Sequence, residues 1–180
     1  MGKKIGMILD APYPIDPRVS NQAKALIESG NEVFLFCLSF EKSFKKTEII
    51  NGINVVRYYC SNITYKLSAL AYTFPFYKWI MSKKIKNFIS NNDIDVLHIH
   101  DIQIASSVFK ANSSFNLFVT LDLHENRPEI MKYYKHVNSF FGKLLIKPSN
   151  WKSAEEKYSK ISNSIVVVTD LAKNELVDRI

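Results

Sequence analysis

Three short stretches carry side chains able to move protons or grip anions: Asp16-Pro17-Arg18, His98-Ile99-His100-Asp101, and Asp122-Leu123-His124-Glu125 running on into Asn126-Arg127. A histidine near neutral pH can donate or accept a proton, so His124 reads more readily as a working residue than as a buried spectator. His98 and His100 alternate around Ile99, which puts both imidazoles on one face of an extended strand. There, His100 or Asp101 reaches a ligand, or the pair forms one satisfied buried histidine and one capping the loop. Asp16 is a good helix N-cap by itself. If that helix end also faces a cleft, its free amides and dipole suit an anion, and Arg18 can fork onto phosphate or carboxylate. Glu125 is balanced between the two kinds of role. Histidines and carboxylates in these patterns also invite a metal-hydrolase reading, kept as a minor alternative, because strand HxH pairs of that kind usually follow a first strand and these follow a fourth.

All three stretches sit just beyond predicted strands. Lys3–Leu9, Asn31–Leu38, Asp95–Ile99, Asn116–Leu121 and Ser164–Thr169 are short apolar runs, nearly continuous rather than alternating, as expected of strands covered on both faces. Between the first two, Asp16-Pro17 opens a helix with a stripe of Val19, Ala23, Leu26 and Ile27, and Gly30 closes it. Asn51-Gly52 marks a tight turn between Glu48–Ile50 and Ile53–Tyr59, either a local hairpin or a turn into another strand. Tyr65–Ser90 is predicted mainly helical with an interruption near Pro75. Its later stripe of Tyr77, Ile80, Met81, Ile85, Phe88 and Ile89 packs on the core or, as a basic amphipathic face, lies on a membrane. One or two helices fill Arg127–Trp151, Pro148-Ser149-Asn150 is read as a break, and helices follow at Lys152–Lys160 and from Asp170. Strands alternating with helices argue for an α/β fold with a doubly wound, mostly parallel sheet. In such sheets ligands bind beyond the carboxyl ends of the strands, where the three stretches lie.

The totals narrow the class. A length of 180 residues, 47% of them hydrophobic, is one ordinary domain with a real core. Cys37 and Cys60 form no disulfide framework, and a reducing cytoplasmic compartment fits. The run Ile5–Leu9 is too short for a signal peptide, and Leu67–Tyr77 is too short to span a bilayer. Lys and Arg number 24 against 17 Asp and Glu, a net charge of +7. This suits an anionic membrane surface or a phosphorylated sugar carrier, or it serves solubility alone, since basic domains are common. No nucleic-acid-reading motif is present, so nucleic acid is not expected as a partner. Neither GxGxxG nor GxxxxGK[ST] occurs, which argues against dehydrogenases and P-loop enzymes.

The order DPRVSNQAKALIESGNEVFLFCL, NGINVVRY, DIDVLHIHD, LFVTLDLHENRPE, SIVVVTDLAKNEL resembles the amino-terminal domain of family 4 glycosyltransferases over almost the whole chain. The resemblance implies a Rossmann-like domain forming the acceptor-side half of a two-domain GT-B enzyme. It implies transfer from a nucleotide sugar to a glycan or lipid-linked acceptor in cell-surface polysaccharide synthesis, with no metal or other cofactor. His124 takes the place of the histidine that approaches the donor sugar and is the expected catalytic residue. Asp16 and Arg18 match a DxRV pattern and residues 98–101 match HxHD. Asp16, Arg18, His100, Asp101, Glu125, Asn126 and Arg127 are the expected substrate contacts. Members often associate with the inner membrane face, so a cytoplasmic, peripheral location is expected. Pro12-Tyr13-Pro14-Ile15 stands where the commonest form carries a Gly-Gly pair. A donor-binding carboxy-terminal domain of about 150–200 residues is expected beyond Ile180, and without it no turnover. The alternatives are a sugar-nucleotide epimerase half, a non-catalytic sugar-binding module and the metal-dependent hydrolase.

Overall fold

The computed structural model describes residues 2–138 and 140–180. They form a seven-stranded sheet from β1 (Lys4–Leu9), β2 (Glu32–Ser39), β3 (Thr47–Ile50), β4 (Ile53–Tyr59), β5 (Val96–His100), β6 (Phe118–Leu123) and β7 (Ser164–Val167), in the order β3-β4-β2-β1-β5-β6-β7. Six strands are parallel, and β3 joins antiparallel at one edge. The turn that makes this hairpin is Asn51-Gly52, with φ of 50° and 82°, positive values that a primed hairpin turn requires.

Both sheet faces are covered, and strand alternation sorts the core between them. Met7, Leu9, Val33, Leu35, Cys37 and Val55 pack under α1 (Pro17–Glu28) through its buried Val19 and Ala23. Ile8, Phe36, Leu38 and Leu97 share the other cluster with α3 (Phe76–Asn92), α4 (Ile102–Asn112) and α8 (Pro148–Ile161). A Cβ on Gly6 of β1 would lie 2.9 Å from Ile94 Cγ2 and 3.1 Å from Phe88. Glycine there lets the end of α3 and the loop after it approach the sheet.

Asp16 caps α1 by accepting from Arg18 N, Pro17 takes its first turn, and Gly30 has a φ of 82° just beyond its end. Before α3 lie α2 (Asn62–Lys66) and a 3₁₀ turn (Leu67–Leu70). The long helical region expected over 65–90 is therefore split well before Pro75. The stripe on α3 packs inward, which removes it as a membrane face, and Ile80 departs from it by pointing outward. Pro148 does not break the chain but opens α8 at its first position, where a missing N–H costs nothing. Upstream of it run α5 (Arg127–Ile130), a 3₁₀ turn (Met131–Tyr133), α6 (Lys135–Asn138) and α7 (Phe140–Leu145). The last helix, α9 (Asp170–Val177), is tied back where Arg179 Nη2 meets buried Glu155 Oε1 at 2.5 Å.

Candidate functional site

Parallel register brings the polar strand ends together. Leu9 pairs with His100, and His100 with Asp122, so these three lie side by side on the face that α1 covers. The result is a row of nearly parallel imidazoles. His98 and His100 stack at 4.7 Å between ring centroids, and His100 and His124 at 5.4 Å. His100 Nδ1 faces His124 Nε2 at 3.2 Å. Asp122 stands beside all three rings, 3.6 Å from His98 Nε2, 3.7 Å from His100 Nδ1 and 3.3 Å from His124 Nδ1. Gln22 of α1 donates to Asp122 Oδ2 at 2.7 Å.

Burial and charge set the protonation of His100 and Asp122. His100 is held down to about 3, mainly by burial and then by His98, against the pull of Asp122, so it is neutral at pH 7. Burial would raise Asp122, but His98, Gln22 and the other imidazoles outweigh it and hold the carboxylate below its ordinary range. Asp122 is thus an ionised hub, its Oδ1 close to His124 Nδ1.

Asp101 caps α4 with φ 71° and ψ 152°, a region that side chains other than glycine enter only at a cost of about 1–3 kcal/mol. Its N–H donates to the Asp122 carbonyl at 2.9 Å. Burial raises its carboxyl, opposed first by Arg127. Arg127, at the start of α5, lies 3.6 Å from Asp101 Oδ2 and 3.8 Å from Glu125 Oε2. On the other side, Asp10 at the end of β1 is buried, with Tyr77 OH donating to Oδ1 and Gln103 Nε2 to Oδ2, the latter at 2.7 Å. Burial pushes Asp10 up to about 7 despite both donors.

The expected residues divide accordingly. His100, Asp101, His124, Glu125 and Arg127 converge on the β5–β6 rim. Asp16 and Arg18 come within electrostatic reach of it, Asp16 of His124 and Arg18 of Asp101 and Glu125. The Arg18 fork is folded onto Asp16, with Nε–Oδ1 at 3.2 Å and Nη2–Oδ2 at 3.0 Å. Asn126 turns away and donates to Glu175 at 3.2 Å. Asp122 belongs to one of the three polar stretches, but its place as the hub, its partner Gln22 and the Tyr77 and Gln103 donors to Asp10 lie beyond the sequence reading. Asp122 is the in-register neighbour of His100. His98, His100 and Asp122 offer donor atoms all within 4.8 Å of one another, a set with the composition of a zinc site. The Asp122 oxygen nearest both histidines accepts from Gln22, a bond that a metal-ligating carboxylate can also make, and His98 Nε2 and His100 Nε2 have no hydrogen-bond partner among the described residues.

The family model of Glycosyltransferase Family 4 matches residues 18–180. The chain belongs to glycosyltransferase family 4. Solved structures agree on the fold. A sucrose-phosphate synthase from Thermosynechococcus elongatus superposes with a TM-score of 0.70 at 13% identity, over 98% of this chain and 45% of that one. An alpha,alpha-trehalose-phosphate synthase (UDP-forming) from Burkholderia vietnamiensis gives 0.65 at 10% identity, over 98% and 42%. An E. coli trehalose-6-phosphate structure bound with UDP-2-fluoro glucose gives 0.57 at 10% identity, again over 98% and 42%. The family 4 chain therefore spans less than half the length of these structures. No curated protein shows significant similarity to its sequence. Among the described residues, no helix is long and apolar enough to cross a membrane.

Proposed function

We propose that this chain is the acceptor-side half of a glycosyltransferase. The enzyme moves a sugar from a nucleotide-sugar donor to a glycan or lipid-linked acceptor in cell-surface polysaccharide synthesis, and the half is inactive alone. The observation that carries the reading is the ionised Asp122 flanked by neutral His100 and by His124 at the β5–β6 rim. Family membership and the sub-half coverage of the similar structures support a second, donor-binding domain facing that rim. In the transfer, the acceptor hydroxyl oxygen bonds to the anomeric carbon as the bond from that carbon to the nucleotide phosphate oxygen breaks, and the hydroxyl proton passes to the departing nucleoside diphosphate. His124 Nε2 exchanges His100 for a hydroxyl of the donor sugar, while Asp122 keeps hold of Nδ1. Asp101, Glu125 and Arg127 frame the acceptor, and Asp16 releases Arg18 to an anionic group. No metal takes part. A cytoplasmic location against a membrane draws support from the basic charge and from exposed Phe74, Phe76 and Trp79.

The deciding experiment measures nucleoside diphosphate release and product formation by the protein encoded by the complete reading frame, across candidate nucleotide sugars. The expected result is transfer that His124→Ala reduces by about a hundredfold or more, the usual lower range for a group acting in the transition state, while the 180-residue chain alone gives none. Unchanged turnover in His124→Ala overturns the role of that side chain. A 2-epimerised nucleotide sugar as product overturns the transferase reading itself.

A further inference from the structure

Beside the rim lies a cavity of about 590 Å³, within the size range of small-molecule sites. Its walls are the 3₁₀ turn after α2, the start of α5 with the turn that follows it, α7 and the start of α8. Leu70, Met131, Leu145, Ile146 and Trp151 make them largely apolar. Arg127 stands in the wall, Gln103 links the wall to buried Asp10, and exposed Lys66 joins the lining.

Two features of this cavity point to an amphiphile rather than a sugar. First, apolar walls would leave most hydroxyls of a bound sugar unpaired, at a cost for each. Second, the wall carries a cation held only by long contacts. Arg127 meets Asp101 and Glu125 only at 3.6 and 3.8 Å and donates to the Tyr134 hydroxyl at 3.4 Å. Its buried Nε has no partner among the described residues, and neither does the buried indole Nε1 of Trp151. From the cavity wall the Leu145 carbonyl accepts from Thr73 Oγ1 at 2.7 Å, and next to Thr73 the exposed Phe74 stacks near Phe76, which meets Trp79 edge-on.

We infer that this cavity holds a lipid phosphate, the apolar chain against Leu70, Met131, Leu145 and Ile146 and the phosphate on Arg127. Resting on the transferase reading, this makes the acceptor lipid-linked. The phosphate seats beside Asp101, and the group that receives the sugar extends toward His124. A guanidinium suits this task because its planar fork matches phosphate oxygens.

The two tryptophans give a direct readout, since Trp79 is exposed and Trp151 lines the cavity. In a Trp79→Phe background, Trp151 emission is titrated with farnesyl phosphate, farnesol, inorganic phosphate and glucose 6-phosphate. Farnesyl phosphate is expected to change the emission saturably and to bind at least tenfold more tightly than the other three. Arg127→Gln is expected to weaken it about tenfold or more, the loss of a charge-assisted contact, and to leave farnesol unaffected. Ala69→Phe fills the cavity without touching the cation and is expected to abolish binding, which keeps the test decisive should Arg127→Gln fail to fold. Glucose 6-phosphate or inorganic phosphate binding as tightly as farnesyl phosphate overturns the assignment. So does saturable farnesyl phosphate binding that Ala69→Phe leaves intact. The binding readout needs no turnover. Absent transfer with intact binding counts against the transferase reading alone, and transfer without binding counts against the cavity alone.

Discussion

Gln22 on α1 donates to Asp122 on β6 at 2.7 Å, joining residues a hundred positions apart. The bond does two things at once. It fixes the covering helix over the strand ends, and it supplies a neutral donor to a carboxylate that already serves three imidazoles. Because Asp122 is almost completely buried, its charge depends on such donors.

Removing the donor should therefore weaken the fold. Gln22→Ala is expected to cost about 1.5–3 kcal/mol, the worth of a hydrogen bond to a charged group. Gln22→Glu should cost more, because a second carboxylate would face Asp122 and one of the pair would have to take a proton. Urea denaturation at pH 7 checks both. If Gln22→Glu is as stable as the native chain, Asp122 is not an ionised hub.

Asp101 allows backbone strain to be separated from side-chain loss. Asp101→Gly and Asp101→Ala both remove the carboxylate near Arg127, but only glycine relaxes at φ 71°, ψ 152°. At an ordinary position alanine is the more stable of the two by about 0.4–1 kcal/mol, because glycine has more freedom to lose. Here the order is expected to invert, with the glycine variant the more stable by about 1–2 kcal/mol. Paired thermal melts measure the difference, and alanine proving the more stable would remove the strain.

Much of the scaffold is legible from residue order alone because it rests on local chemistry. The Asn51-Gly52 turn, the Asp16–Pro17 start of α1 and the shared face of His98 and His100 all follow from backbone preferences within a few residues. What escapes is set by contacts between distant segments. Tyr77 reads as one more member of an apolar stripe, yet its hydroxyl serves Asp10 across 67 positions. Gln22 reads as a surface residue until α1 is laid on β6. Pro148 follows the same logic in reverse. Proline both ends and begins helices, and only the packing of Trp151 and Ala154 into the core decides for the beginning.

The three-ligand set His98, His100 and Asp122 is expected to stay metal-free in use. Gln22 already donates to Asp122 Oδ2, and His100 Nδ1 already faces His124. Dialysis against a chelator should leave the melting temperature and any donor-dependent activity unchanged, and elemental analysis should find zinc well below one per chain. A zinc-dependent rise in melting temperature that disappears in His98→Ala would sink this expectation.

Two buried groups give stability opposite dependences on pH. His100 falls from 6.5 to about 3 on folding. The unfolded chain thus takes up a proton that the folded one refuses, and the contribution of His100 is complete above 6.5 and lost as pH falls toward 3. Asp10 rises from 3.8 to about 7. The folded chain keeps a proton that the unfolded one gives up, so its contribution is complete below 3.8 and lost as pH climbs to about 7. Asp101, also raised, acts in the same direction as Asp10, while Asp122, already lowered, acts only in stronger acid. Between pH 4 and 6.5 the slopes of His100 and Asp10 oppose, each worth about 1.4 kcal/mol per pH unit at most. Asp10→Asn should unmask the histidine, giving stability that climbs with pH across that window. His100→Gln should unmask the carboxyls, giving stability that declines. Denaturant midpoints at half-unit pH steps read the two slopes directly, and equal signs in the two variants would mean that one of these side chains is not buried as described.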